Sequence, residues 1–303
     1  MKTAILLIAY KKFDILNQVI DALAKNKHYD LIVNFDNHDE LDQYENIKKK
    51  ILSYFPNANI SMRPKKFGVN LNVICSIHDA FYKHGYDRIF YIEDDVYCNP
   101  TCLETLENLM NWTDKNLDNV GMVQSWNYNI LDPKYTSNYY HLHGLTNLNY
   151  SESCSFNDNE IAYTYQNFWG CLISKKCWDI INPYVLNHFI SQQQGKGFNF
   201  GNYQNLIVKL INAKCTNEIK SRIVSRFNMI GWEPIVDLAM AANDLYKIAL
   251  TNPRSKTIGE VGDSSNTDMF TSVGLDKIEL NKSSIIPNEF ILNKQSKELW
   301  INS

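Results

Sequence analysis

Over the first 125 residues, unbroken apolar runs alternate with apolar residues at helical spacing. Residues 4–10 (AILLIAY) form one such run; Ile15, Leu16, Val19, Ile20 and Leu23 then recur every few positions, which predicts a strand followed by a helix. The alternation repeats with a strand at 31–35, a helix carried by Leu41, Tyr44, Ile47 and Ile51, and a short strand at 58–62. A helix on Leu71, Ile74, Ile77 and Phe81 follows, then a strand at 89–92, a helix after Pro100 and a strand at 120–123. Runs without polar alternation suit strands covered on both faces. The pattern therefore predicts an α/β fold with a mainly parallel central sheet flanked by helices. In open sheets of this kind ligands bind beyond the carboxyl ends of the strands. Asp36 and the run Glu93-Asp94-Asp95 both fall at such ends.

Residues 126–160 change character: they are rich in Asn, Tyr and Ser with little apolar periodicity, and they read as a long irregular connection of the functional kind. Strand-like order resumes in YTYQNFWGCLISKKCW (163–178) and leads into a helix at 178–189. The stretch 191–228 contains SQQQGKGFNFGN and a helix at 203–211. Ile235, Leu238, Ala242, Leu245 and Ile248 make a helical stripe that opens just after Gly231-Trp232-Glu233-Pro234, where proline suits a helix start. The tail from Thr257 reads as loop followed by short extended pieces. With no internal repeat or low-complexity linker, the expectation is one domain over 1–303, its halves being 1–125 and 126–303.

A composition of 45% hydrophobic and 13% aromatic residues over 303 positions can fill a sizeable core. The formal net charge of -3 carries no basic excess, which argues against a nucleic-acid backbone as partner. The N-terminal apolar run is short for a signal peptide, lacks a small-residue cleavage site and is followed by Lys11 and Lys12, so it reads as a buried strand. No later run approaches the roughly 18 apolar residues that a membrane span needs. The seven cysteines are scattered and odd in number, which fits reduced thiols in a cytoplasm better than a disulfide framework.

The carboxylate run in RIFYIEDDVYCN is the first chemical candidate. Divalent Mg or Mn takes hard oxygen ligands, commonly one or two protein carboxylates with substrate phosphates filling other positions. An acidic turn before the helix at Pro100 would account for the same residues, because carboxylates are favoured at a helix N-terminus. Glu233 and Asp237 are four residues apart on one helix face, and either could act as a general base; acidic residues in a helix's first turn are also ordinary. Asp36 in VNFDNHDE has its own alternative as turn chemistry. Lys11, Lys12, Arg63, Lys65 and Lys66 could contact a diphosphate or simply be solvated. His141 and His143 in the irregular connection, and His78 beside Asp79, match no zinc spacing, and the chain has no GxSxG, GxGxxG or GxxxxGK[ST].

In order, these pieces resemble a glycosyltransferase of the GT-A fold, most closely the N-acetylglucosaminyltransferase I type and related bacterial enzymes. AILLIAYKKFDILNQVIDAL resembles that family's first strand and helix, and LIVNFDNHDE its second strand. RIFYIEDDVYCNP resembles the acidic metal motif that is the counterpart of DxD, and VGMVQSWNYN the strand and Trp-Asn segment after it. QNFWGCLISKKCW is similar to the Trp-Gly strand and Trp helix beside the acceptor pocket. GWEPIVDLAM falls where the family has a Trp-Asp pair, here Trp232-Glu233, and KTIGEVGDSSNTD resembles the loop over the donor. The match runs over residues 3–270, while 191–228 has no counterpart.

The resemblance implies a Rossmann-like nucleotide-binding half fused to an acceptor-binding half. It implies Mn2+ or Mg2+ held by Asp95, with Asp94 and Glu93 at ribose or metal-bound water. Asp36 would face the base, Lys12 or Lys11 the phosphates, and Glu233, or else Asp237, would be the general base. The implied reaction is inverting transfer of a sugar from a nucleotide-sugar, UDP-linked by preference, to a hydroxyl of a glycan, lipid-linked or protein acceptor, with peripheral membrane association allowed. A retaining glycosyltransferase, a nucleotidyltransferase and a non-catalytic nucleotide-sugar-binding module are the alternatives.

Overall fold

The computed structural model describes residues 1–127, 134–135, 157–165, 168–193, 200–226, 231–259 and 267–301. The first half alternates as the apolar pattern predicts: β1 (Thr3–Ala9), α1 (Phe13–Leu23), β2 (Asp30–Phe35), α2 (Leu41–Tyr54), β3 (Asn59–Met62), α3 (Val69–His78) and β4 (Arg88–Glu93). A three-residue strand β5 (Val96–Cys98) follows, and then α4 (Cys102–Asn116) and β6 (Val120–Gln124). Beyond the long connection come β7 (Glu160–Thr164), β8 (Cys171–Ser174), α5 (Lys175–Gln193), α6 (Phe200–Asn212), α7 (Asn217–Arg226) and α8 (Trp232–Ala241). The chain then forms β9 (Tyr246–Leu250), β10 (Ser255–Thr257), α9 (Thr267–Ser272), β11 (Ile291–Leu292) and α10 (Lys294–Trp300).

Nine of these strands make one sheet in the order β11-β7-β9-β6-β8-β4-β1-β2-β3. The neighbours β11·β7, β9·β6, β4·β1, β1·β2 and β2·β3 are parallel, whereas β8 runs antiparallel to both β4 and β6, and β7 antiparallel to β9. The sheet is therefore mainly parallel, with helices on its faces, as expected for an α/β fold. Its central strands are apolar throughout because both faces are covered: Ala4 to Leu7 and Ile89 to Ile92 are wholly buried.

The apolar stripe that continued through Leu245 and Ile248 does not extend the helix. Helix α8 stops at Ala241, the chain turns through Asp244 in the left-handed region (φ 53°), and Leu245 and Ile248 lead into and along β9. Asn243 and Asp244, whose short polar side chains tolerate that conformation, make the break. Most of the irregular connection, including His141 and His143, and residues 260–266 of the KTIGEVGDSSNTD stretch lie outside the described residues.

Candidate active site at the strand ends

The carboxyl ends of β1, β2 and β4 lie side by side in the sheet, since β1 pairs in parallel with both others. The acidic run sits at the end of β4, with Asp94 and Asp95 in the turn to β5. A second, two-stranded sheet fixes that turn. β10 pairs antiparallel with β5, and just past it the Ile258 N–H donates to the Asp95 carbonyl at 2.7 Å. Gly259 then passes so close that a Cβ there would lie 2.6 Å from Asp95 Oδ2 and 2.8 Å from its Cβ. Only glycine lets the backbone lie against this carboxylate.

Each carboxylate of the run has a distinct partner. Lys12, just beyond the end of β1, places its Nζ 2.6 Å from Asp95 Oδ2. The Tyr10 N–H donates to Asp94 Oδ2 at 2.9 Å. The buried Tyr91 hydroxyl donates to Glu93 Oε1 at 2.5 Å. Burial, followed by the charge of Asp95, pushes Glu93 up to about 8 and Asp94 up to about 7. For Lys12, burial acts to lower the pKa, but the charge and hydrogen bond of Asp95 outweigh it and the net shift is upward. The turn thus gathers more negative charge than its one lysine offsets.

Asp36 lies buried at the end of β2 and accepts from three backbone N–H groups: Asn37 at 2.9 Å, Phe67 at 2.7 Å and Gly68 at 2.8 Å. It ties down the loop before α3, where Gly68 takes a left-handed φ of 76°. Arg63 is held by Asn72 and Ser76 of α3 and by Asp79, at 2.8, 2.7 and 3.1 Å from its nitrogens. Lys11 pairs with Asp39 at 2.6 Å. Of the basic residues considered from sequence, Lys12 is the one the fold carries to the acidic turn.

Helix α8 brings Glu233 towards the same place. The negative charge of Glu233 bears on both Glu93 and Tyr91, raising the proton affinity of each. Trp232, the sequence neighbour of Glu233, packs with one ring from each half of the sequence, 5.2 Å from Tyr91 and 4.6 Å from Phe168, centroid to centroid. The Phe168 N–H donates to Glu233 Oε1 at 3.3 Å. Asp237, one turn further along α8, goes elsewhere: it is buried, and its Oδ1 lies 3.5 Å from the Nζ of Lys247 on β9. The two carboxylates that sequence spacing placed on one helix face are separated by their partners. Tyr91 and Phe168 carried no signal of their own, because each looks like an ordinary member of an apolar strand or its flank, and Lys247 carried none because the apolar spacing around it reads as a helix with the lysine on its polar side.

Among the described residues no group of three His, Cys, Asp or Glu side chains forms a metal cage. Mg and Mn do not require one, since they are held through one or two carboxylates while phosphates and water complete the shell. Asp95 and Asp94, adjacent oxygen donors with raised proton affinity at Asp94 and uncompensated charge, fit that lighter kind of site.

No protein-family model matches the sequence, and no curated protein sequence matches it. Among solved structures, the chain is similar to TarS 1-349 of S. aureus at 13% identity and TM-score 0.38, covering 59% of this chain and 48% of that one. It is similar to the mannosyltransferase PcManGT of Pyrobaculum calidifontis, in complex with GDP-Man and Mn2+, at 9% identity and TM-score 0.40, covering 59% and 46%. A third likeness, to GalNAc-T7 with UDP, GalNAc and Mn2+, has 9% identity and TM-score 0.33 and covers 41% and 22%. The chain spans less than half the length of each. No described helix is long and apolar enough to cross a membrane.

Proposed function

We propose that this chain is a glycosyltransferase of the GT-A type that moves a sugar from a nucleotide-sugar, UDP-linked by preference, to an acceptor hydroxyl with inversion. The observation that carries the reading is the meeting of two carboxylate sites from opposite halves of the sequence. The acidic turn at the end of β4 carries Lys12 on Asp95, and Glu233 is near enough for its charge to act on Glu93. The order of the sequence motifs supports the same class.

In this reading Asp95, with Asp94 beside it, would hold Mn2+ or Mg2+, and the ion when bound would neutralise charge on the leaving diphosphate. Lys12 contributes a second positive charge at the same turn. Glu93, kept in place by Tyr91, and Asp36, at the end of β2 on the far side of β1, shape the nucleotide side. Glu233 takes the proton from the acceptor hydroxyl as its oxygen attacks the anomeric carbon, a contribution of about 10²–10⁴-fold for a well-placed base. Asp237 is the less suitable base because Lys247 already engages it. The acceptor hydroxyl belongs to a glycan, a lipid-linked or a protein acceptor.

A thermal-shift screen of UDP- and GDP-linked sugars, each with and without Mn2+, tests the binding half of this reading. A ligand that binds the folded chain raises its apparent stability by mass action. The expected outcome is a Mn2+-dependent upward shift with at least one donor that is absent in Asp95→Ala. An equal shift in Asp95→Ala would remove the metal assignment.

A further inference from the structure

A buried ion pair is a poor way to stabilise a fold, because taking both charges out of water costs about what their attraction returns. Lys247 and Asp237 form such a pair, with side chains 2% and 5% exposed and 3.5 Å between Nζ and Oδ1. Lys247 sits inside the sheet, on β9 in register with Met122 of β6 and Thr164 of β7, where an aliphatic residue would pack more cheaply. Its ammonium also lies 3.8 Å from the centroid of the Phe168 ring, a close cation–π contact in a desolvated setting. Phe168 is wholly buried, and its backbone N–H is the donor to Glu233 Oε1. Asp237 stands one helical turn beyond Glu233 on α8.

We propose that Lys247 is the positioning residue for Glu233. Its charge holds the two pieces of chain that aim this carboxylate: α8, through Asp237, and the residue-168 segment, through the Phe168 ring. The inference rests on the reading of Glu233 as the base and assigns Asp237 a supporting role in place of a chemical one. The Phe168 N–H donates to Glu233 Oε1 at 3.3 Å, so a shift of α8 against Phe168 would alter the aim of the carboxylate while leaving the acidic turn untouched. Reactivity depends steeply on such alignment, since a misplacement of about 1 Å can cost 10²-fold.

Lys247→Met alone would leave the buried Asp237 carboxylate without the ammonium beside it, so the informative variant is Lys247→Met combined with Asp237→Leu, which removes both charges at once. Turnover and donor KM are measured with the UDP- or GDP-sugar that supports activity, UDP–Mn2+ affinity by calorimetry, and the melting midpoint alongside. The expected result is a kcat at least tenfold below wild type with UDP–Mn2+ affinity within about twofold and the melting midpoint retained. Phe168→Leu, which keeps an apolar filler but removes the ring face, serves as the second route. It should lower kcat similarly, and adding Lys247→Met and Asp237→Leu to it should cost little more, because Lys247 acts through that ring. Wild-type kcat in the charge-free variant, or a kcat loss matched by lost UDP binding, overturns the assignment. Glu233→Gln separates the two layers. If it turns over at the wild-type rate, the base reading falls and this inference with it; if it is slow while the charge-free variant is fast, only the role of Lys247 falls.

Discussion

Single residues at the acidic turn are set against one another, and their protonation records it. Burial and the charge of Asp95 push Glu93 up to about 8 and Asp94 up to about 7, from ordinary values of 4.5 and 3.8. These two groups bind more protons in the folded chain than in the unfolded one between roughly pH 4 and 8, so their share of the stability falls as pH rises through that window, while His38, His84 and His188, lowered by burial, act in the opposite sense. In melting midpoints from pH 5 to 8, Glu93→Gln, which can still accept from Tyr91, should therefore lose less stability with rising pH than the wild type; an identical pH dependence would mean that Glu93 ionises normally. Gly259 carries a second residue-scale prediction. A methyl group there meets the Cβ of Asp95 as well as its carboxylate, so the aspartate backbone side cannot swing clear. Overpacking of this kind costs about 1–3 kcal/mol. Gly259→Ala should weaken the Mn2+ response of donor binding by at least fivefold while Lys12→Met leaves Asp95 in place and weakens it less. The acidic run and Glu233 were legible in the sequence because chemistry-bearing residues at strand and helix ends stand out from apolar neighbours. Gly259 and Tyr91 were not, since their significance comes from a carboxylate that only the fold brings near.

Among the elements, the ends matter more than the middles. Helix α8 begins with Gly231 as N-cap, which offers no side-chain acceptor, yet its first N–H groups must be satisfied. Asn70, in the first turn of α3, supplies one: its Oδ1 accepts the Trp232 N–H at 3.1 Å. A residue from the first half of the sequence thus caps the helix that carries Glu233. Asn70→Ala should cost about 1 kcal/mol, the usual worth of a cap, in denaturant unfolding. It should also slow turnover more than it weakens UDP binding, whereas Asn70→Asp, which keeps the acceptor oxygen, should recover most of the stability. Element order in the first half followed from periodicity alone, because each strand there is a continuous apolar run and each helix a clear stripe. The short strands β5 and β10 did not, since three residues show no period and their partners lie more than 150 positions apart in sequence. Strand direction was equally hidden: nothing in the composition of β8 distinguishes a strand antiparallel to both neighbours from a parallel one.

For the whole molecule, β8 is the seam. It joins β4 of the first half to β6, and so the two ends of the sequence share one nine-stranded sheet and one hydrophobic core. Because the core is continuous, urea unfolding followed by tryptophan fluorescence and by circular dichroism should give coincident transitions; separated midpoints would show that the halves unfold independently. The seam also sets what chemistry the arrangement can deliver. The carboxylates proposed to hold the cation come from a strand end of one half of the sequence and the proposed base from a helix of the other, with the Tyr91–Trp232–Phe168 ring contacts joining the two elements. A base on the side away from the leaving diphosphate activates an acceptor that attacks from the face opposite the departing group, which inverts the anomeric carbon in a single displacement. Retention would need either a carboxylate that attacks the anomeric carbon itself, so that two inversions follow one another, or attack from the side of the leaving group, and in neither does Glu233 act as the base of a single displacement. Proton NMR of the glycoside product, whose anomeric configuration is fixed once the bond forms, should therefore show the configuration opposite to that of the donor. In Glu233→Gln the little product formed should keep that inverted configuration, at a rate lower by about 10²–10⁴-fold. Retained configuration in the wild-type product would set aside both the single displacement and the role of Glu233 in it, while leaving the nucleotide side of the site as it stands.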